Sequence, residues 1–554
     1  MNYFPEDEVT TGYIRHCTGL VYSDLSKSKI AIKYMKAALN CNWTKYEYHK
    51  ALIHSDIAKE CYHLNEKDSA YWYFEKAIDM IEQKYPDKKS ELANIYQDYG
   101  LIKYKDQLYS ESEQLLIRSN HLLKEKFGHN HKSVLISDNY LGNYYKKTKQ
   151  FHKAIHYFHQ VITGFIPGYK DTSVYSYPSK KHLIINVYVL YALRYKAHTF
   201  FQKYKYQSCR IKDLKASLSH FELAFDLVDK SRFEHLNEES SLFFAESYKE
   251  TVNNALVTCW YMYQETGDEQ YLELFFDYSE KGKASILHQA VNNQESMVLA
   301  GVPNKYISFG NRLNTKIIEL KNRLKAMTTG QKKIKTEHQL YQLIKNQKIY
   351  KEYLKKKYPE YYKLKYDVST ISLNKVRKEL KDDEVILNYS LTDSLLFCFM
   401  ITKNQSKLQL VKIDSIFFQT IDTVVHYINH PPINGEQYAD FKQKSGYLYH
   451  QLIQPYNEEL NHKHIIIVPD DILVYLPFDV LIGEDNQYLI RNNPVSYAYS
   501  ATLKYHHYEI EKKKYKLAAF APDYNIRLQE SACKHTGYQL KNLKYAKDEA
   551  HAVS

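Results

Sequence analysis

The chain has 554 residues, 44% apolar and 25% charged, with a formal net charge of +12. This composition excludes a disordered chain, and 16 Gly with 13 Pro exclude a collagen-like or Gly/Pro-rich one. No apolar run approaches the roughly 20 residues that a membrane-spanning helix needs. The length implies roughly three or four domains, or a repeat array with one domain attached. The 55 Tyr are spread over the whole chain and read as compositional bias. The start, Met1 to Glu8, has no basic segment and no apolar stretch, so it is not a signal peptide.

Seven cysteines (17, 41, 61, 209, 259, 398, 533) are an odd number with no CxxC pair, which argues against a disulfide framework and a cysteine-rich zinc site. A reduced, cytoplasmic setting is expected. The pairs His129/His131 and His462/His464 lie among Asn and Lys and read as solvated loop residues. Between Arg312 and Tyr366 there are 16 Lys or Arg against 4 Asp or Glu, an excess equal to the net charge of the whole chain.

The first half repeats itself. Gly19, Ala58, Gly100 and Gly142 each precede by 12 residues another small residue, namely Ala31, Ala70, Ser112 and Ala154. The spacings between these anchors are 39, 42 and 42. Small residues at such positions let two helices approach, while larger apolar neighbours (Tyr22, Phe74, Leu116, Tyr145, Phe158) fill the grooves. A pair of this kind must stack on the next to bury its apolar face. The segment Tyr140-Leu141-Gly142-Asn143-Tyr144-Tyr145, followed by Ala154-Ile155-His156-Tyr157-Phe158, resembles the tetratricopeptide repeat. Residues 180–232 and 241–263 continue as degenerate helical pairs. This half reads as a concave scaffold without a catalytic pattern.

Tyr271 to Val291 reads as one amphipathic helix. Its Gly282-Lys283 is not a phosphate loop, because no Gly stands five residues earlier and no strand precedes it. Residues 304–366 read as two long helices turning at Thr328-Thr329-Gly330, with Leu320, Leu324, Leu340, Leu343, Ile344 and Leu354 as apolar positions. Lysines cover the other faces. The tyrosines at 350, 353, 358, 361 and 362 stand three and four residues apart, as core-facing residues do, so no specific nucleic-acid binding is expected.

After Pro359 the period shortens. Residues 384–389, 394–401 and 408–413 read as three strands, and helices follow at 417–428 and 441–456. His464 to Pro469 and Lys516 to Pro522 are short continuous apolar runs, typical of strands buried on both faces. Strands alternating with helices make this third an α/β sandwich.

The order of motifs is specific. Ile465-Ile466-Ile467-Val468-Pro469-Asp470 leads into Leu476-Pro477-Phe478-Asp479-Val480-Leu481, then Tyr488-Leu489-Ile490, Val495 to Leu503, and Phe520-Ala521-Pro522-Asp523-Tyr524. It resembles the CHAT domain, the caspase-like and separase-like peptidase domain found behind tetratricopeptide repeats. The Ser279 to Leu287 helix, the basic hairpin and the Leu387-Asn388-Tyr389 strand match its usual lead-in. The resemblance implies a cysteine–histidine dyad on two strands downstream of a segment like Leu540 to Ala550, and therefore beyond Ser554. Ser531-Ala532-Cys533 copies the family's cysteine tripeptide but precedes that segment and follows no buried strand. Asp548-Glu549-Ala550-His551 copies a helicase box without its strand or phosphate loop.

The expected architecture is an α-helical tetratricopeptide-repeat solenoid (1–265), a helical linker with the basic hairpin (266–370), and the N-terminal part of an α/β caspase-like CHAT domain (371–554), left incomplete at Ser554. The resemblance implies a cysteine endopeptidase regulated by its repeats, with a protein partner on the repeat surface and a protein substrate. No catalytic, cofactor-binding or metal-ligating residue is assigned within the chain, and no cofactor or membrane contact is expected. A non-catalytic adaptor with a degenerate peptidase-like module is the alternative.

Overall fold

Four helical pairs open the chain in the computed structural model, which describes residues 8–43, 46–231, 238–290, 302–325, 331–358, 370–392 and 394–505. They are α1 (Glu8–Asp24) with α2 (Ser28–Leu39), α3 (His49–His63) with α4 (Lys67–Lys84), α5 (Lys89–Lys105) with α6 (Tyr109–Phe127), and α7 (Lys132–Lys147) with α8 (Phe151–Phe165). The small residues picked out by spacing sit at the contacts. A Cβ on Gly19 would stand 2.7 Å from Met35, one on Gly100 3.0 Å from Leu116, and one on Gly142 2.7 Å from Phe158. Ser112, the polar anchor, is fully buried because its hydroxyl donates to Gly100 O at 2.8 Å.

The turn inside each pair has the same construction. Ser26, Asn65, Gln107 and Lys149 all have left-handed backbones, with φ of 56°, 64°, 63° and 59°, at the spacing of the anchors. Each donates its N–H to the carbonyl three residues back, and the following N–H reaches five residues back (Lys27 to Tyr22, Glu66 to Cys61, Leu108 to Lys103, Gln150 to Tyr145). This is a Schellman closure of the first helix, built four times without the usual glycine. Tyrosines tie neighbouring helices together through carboxylates: Tyr85 to Glu47 and Tyr145 to Glu113, both at 2.8 Å, and Tyr62 and Tyr71 to Asp106.

The stack continues through α9 (Val187–Lys203), α10 (Ile211–Ser231), α11 (Glu238–Thr266) and α12 (Gln270–Ala290). Next comes the hairpin, α13 (Asn304–Lys325) and α14 (Gln331–Lys357), with residues 326–330 and 359–369 outside the described chain. Leu354 is buried against Ile307 and Val302, and Tyr350 donates to Tyr306 O at 2.8 Å. Leu340 and Leu343 are half-buried, but Ile344 is 43% exposed, so the expected apolar line is not continuous.

Among the described residues the sheet has five strands in the order β3-β2-β1-β4-β5: β1 (Glu384–Leu391), β2 (Leu395–Ile401), β3 (Ser406–Lys412), β4 (His464–Val468) and β5 (Val495–Tyr497). The first three form an antiparallel meander, and β4 and β5 run parallel to β1. α15 (Leu373–Glu379) leads into β1, while α16 (Ser415–Asn429) and α17 (Gly435–Leu452) connect β3 to β4. α17 starts six residues before the expected position because Asn434 caps it through Gln437 N at 2.9 Å. It stops short of Pro455, which cannot continue the helical ladder.

Alternation divides β1 between two layers. Val385, Leu387, Tyr389 and Leu391 join the core with α16 and α17, including Phe417, Ile421, Leu448 and Leu452. On the other face Asn388 and Ser390 meet α12, where Phe275 packs on Phe397 and Phe399 with ring centroids 5.2 and 5.7 Å apart. The last helix of the stack is thus also a layer of the α/β sandwich. The chain divides at Leu503, and only residues 504 and 505 of the unit beyond it are described.

Candidate functional site at the helix–sheet junction

In an α/β sheet the chemistry gathers at the carboxyl ends of parallel strands. Here those ends belong to β1, β4 and β5, and α12 brings two ionisable groups to them. Leu272, Phe275, Phe276, Ser279, Glu280 and Lys283 recur at helical spacing, and all six are buried. The last three are therefore polar residues on a face that is otherwise apolar.

Glu280 has no exposed surface, and its two oxygens accept four hydrogen bonds. Oε2 takes Thr502 N and Thr502 Oγ1, each at 2.7 Å; Oε1 takes Asn388 Nδ2 at 3.2 Å and Ala501 N at 3.3 Å. Lys283 donates to Asn388 Oδ1 and, at 3.2 Å, to Val468 O at the end of β4. Burial pulls its ammonium down to about 8, against the pull of Glu280 and Asp470 in the other direction. Ser279 Oγ stands 2.7 Å from Ser390 Oγ. Asp470, two residues past the end of β4, accepts Leu391 N at 2.8 Å, and burial holds its carboxyl above the ordinary range although Lys283 opposes the shift.

Chemically, this arrangement positions rather than reacts. Lys283 is only 4% exposed and spends its protons on an amide and a carbonyl. The network joins α12 to β1, to the end of β4 and to the turn at Ala501, and so sets where those strand ends stand. Sequence reasoning placed the Ser279 to Leu287 helix but assigned no role to Glu280 or Lys283. The available signal was two opposite charges three residues apart on the apolar face of an amphipathic helix.

The other residues singled out by sequence are scattered. His131 caps α7 by accepting Ser133 N at 3.2 Å, and His129 is exposed. His464 bonds Ser496 Oγ at 2.8 Å, while His462 is exposed with a left-handed backbone. Among the described residues no group of three or more His, Cys, Asp or Glu could hold a metal ion. Burial raises the thiols of Cys259 and Cys398, the reverse of what a thiolate nucleophile requires. Cys533, the 516–522 run and Asp548 to His551 lie outside the described residues. Lys355, Lys356 and Lys357 are exposed at the end of α14. No described helix is long and apolar enough to cross a membrane.

Residues 442–554 match the model of the CHAT domain. Among solved structures, BtubC (BKLC) from P. vanneervenii is 13% identical, with a TM-score of 0.34 over 51% of this chain and 91% of that one. The nearly identical TPR-like repeats of a Podosopora anserina protein described as a kinesin light chain are 12% identical, with a TM-score of 0.32 over 41% of this chain and 99% of theirs. No curated protein matches. The chain thus joins a stack of helical pairs over its first half to a segment, 442–554, that is similar to the CHAT domain.

Proposed function

We propose that this chain serves a repeat-regulated cysteine endopeptidase of the CHAT family. The repeats hold a protein partner, the α/β portion presents a protein substrate, and the cysteine–histidine dyad is contributed from beyond Ser554. The observation that carries this reading is the CHAT match over 442–554, in line with the parallel strands β4 and β5 inside it and β1 beside β4. The double role of α12 supports the regulatory half of the reading: a partner that moves the end of the helical stack moves Glu280 and Lys283, and with them the strand ends. The protein works in the cytoplasm without a cofactor, away from membranes, and the hairpin lysines keep it soluble rather than reading nucleic acid.

Cleavage of a diverse peptide library by protein made from the full reading frame, with and without a thiol alkylator, tests this. Turnover abolished by alkylation is expected. Turnover indifferent to alkylation refutes the cysteine mechanism, and absence of turnover with the partner bound leaves the adaptor. Anisotropy titration with RNA and DNA at about 0.15 M salt checks the nucleic-acid statement. Sub-micromolar binding lost on changing Lys355, Lys356 and Lys357 to Glu would overturn it.

A further inference from the structure

The first helices of three successive pairs, α1, α3 and α5, lie side by side and, with Met35 of α2, line an open-sided cavity of about 310 Å³. A single water needs only about 10–15 Å³, so the space suits a side chain. Its walls are Leu20, Met35, Leu101 and Ile102, and its polar lining is dominated by four carboxylates: Asp24, Asp56, Glu60 and Asp98. The lysines in the lining are Lys59 and Lys105, leaving two uncompensated negative charges when the histidines are neutral.

These groups are unequally satisfied. Asp56 is engaged by His16 at 2.8 Å and by Lys59 at 2.7 Å, and the same Lys59 reaches Asp98 at 3.2 Å. Lys105 stands over the Tyr62 ring, 5.8 Å from its centroid. Glu60 is different. It is 2% exposed; Oε1 accepts Ser23 Oγ at 2.6 Å and stands 3.5 Å from His63 Nδ1, but Oε2 is buried with no hydrogen-bond partner among the described residues. A buried carboxylate oxygen without a donor is costly unless something supplies one.

We propose that this cavity receives a cationic side chain, arginine or lysine, from an extended segment of the protein partner held by the repeats. The nitrogen donates to Glu60 Oε2 and shares Asp98, while the methylene stem lies against Leu20, Leu101 and Ile102. This rests on the reading of the repeats as a partner-binding scaffold, and it names the chemistry of what they bind. Charge and shape act together: apolar walls accept the stem, and four acids select the head.

The test uses the full chain and two labelled eight-residue peptides, identical except that one carries two arginines and the other two citrullines, titrated by anisotropy at about 0.15 M salt. The arginine peptide is expected to bind at least about tenfold more tightly. Glu60→Gln should erase that preference. Asp24→Lys, a change at an exposed position, should weaken the arginine peptide by a similar factor without altering the fold, so a misfolded Glu60 variant does not rescue the idea. Equal affinity for the two peptides overturns the proposal, as does a preference that survives both variants. Saturable binding of spermidine with no peptide preference also overturns it, in favour of a free polyamine. Arginine preference in this chain, with no turnover by protein made from the full reading frame, would keep the cavity and remove the peptidase reading; turnover by that protein without arginine preference would do the reverse.

Discussion

Glu280→Gln separates a positioning network from ordinary packing. The carboxylate accepts from four donors, two on each oxygen. Glutamine has the same shape but one oxygen, so its NH2 must face either Thr502 N and Oγ1 or Asn388 Nδ2 and Ala501 N. Rotation of the Thr502 hydroxyl relieves one clash. Asn388 cannot flip freely, because its Oδ1 already accepts from Lys283. At least one backbone donor therefore loses an ionised acceptor, a loss of about 1.5–3 kcal/mol. Lys283 also loses the carboxylate that most favours its charge while still buried, bringing the total to roughly 3–5 kcal/mol. Hydrogen exchange read by mass spectrometry on peptides covering 495–503 and 384–391 follows both ends of the network. Protection should fall by about a hundredfold or more in each, since 1.4 kcal/mol corresponds to a factor of ten. Uptake within about threefold of wild type in both peptides would refute the assignment. Lys283→Met, which leaves all four Glu280 donors in place, should affect 384–391 more than 495–503.

Gly142→Ala places a Cβ 2.7 Å from the Phe158 ring and should cost about 1–2 kcal/mol after the helix gains its better former, seen as a lower melting midpoint. Gln107→Gly relieves a left-handed residue (φ 63°) in the third Schellman turn and should raise the midpoint, with roughly 0.5–1 kcal/mol of stabilisation; a decrease would contradict the reading of these turns. Burial works against the charge of Asp106, but hydrogen bonds from Lys67, Tyr71 and Tyr62 outweigh it and hold its carboxyl below the ordinary range. A depressed folded value means stabilisation that is present above the unfolded value, near 4, and lost as pH falls through the folded one. The gap in denaturation midpoint between wild type and Asp106→Asn should therefore be full at pH 7 and close below about pH 4; a constant gap would mean that the carboxylate's charge is not involved.

Much of the architecture was readable from residues alone, because helix-on-helix contact demands small residues at fixed intervals. Gly19, Gly100, Gly142 and Ser112 meet their partners as the 39- and 42-residue spacing implied. The apolar runs at 384–389 and 464–468 became strands because a strand covered on both faces has no need for polar alternation. Spacing could not reveal which layers cover that sheet. Glu280 and Lys283 look like ordinary helix charges until Asn388, Val468 and Thr502, 105 to 222 residues away in the chain, supply their partners. The same is true of the repeat cavity. Asp24, Asp56, Glu60 and Asp98 are solvent-type residues in the linear chain, and only the stacking of α1, α3 and α5 confines them in one space and leaves a carboxylate oxygen without a donor. Periodicity records what each helix must bury, whereas the identity of a buried charge's partner is a long-range contact with no local signature.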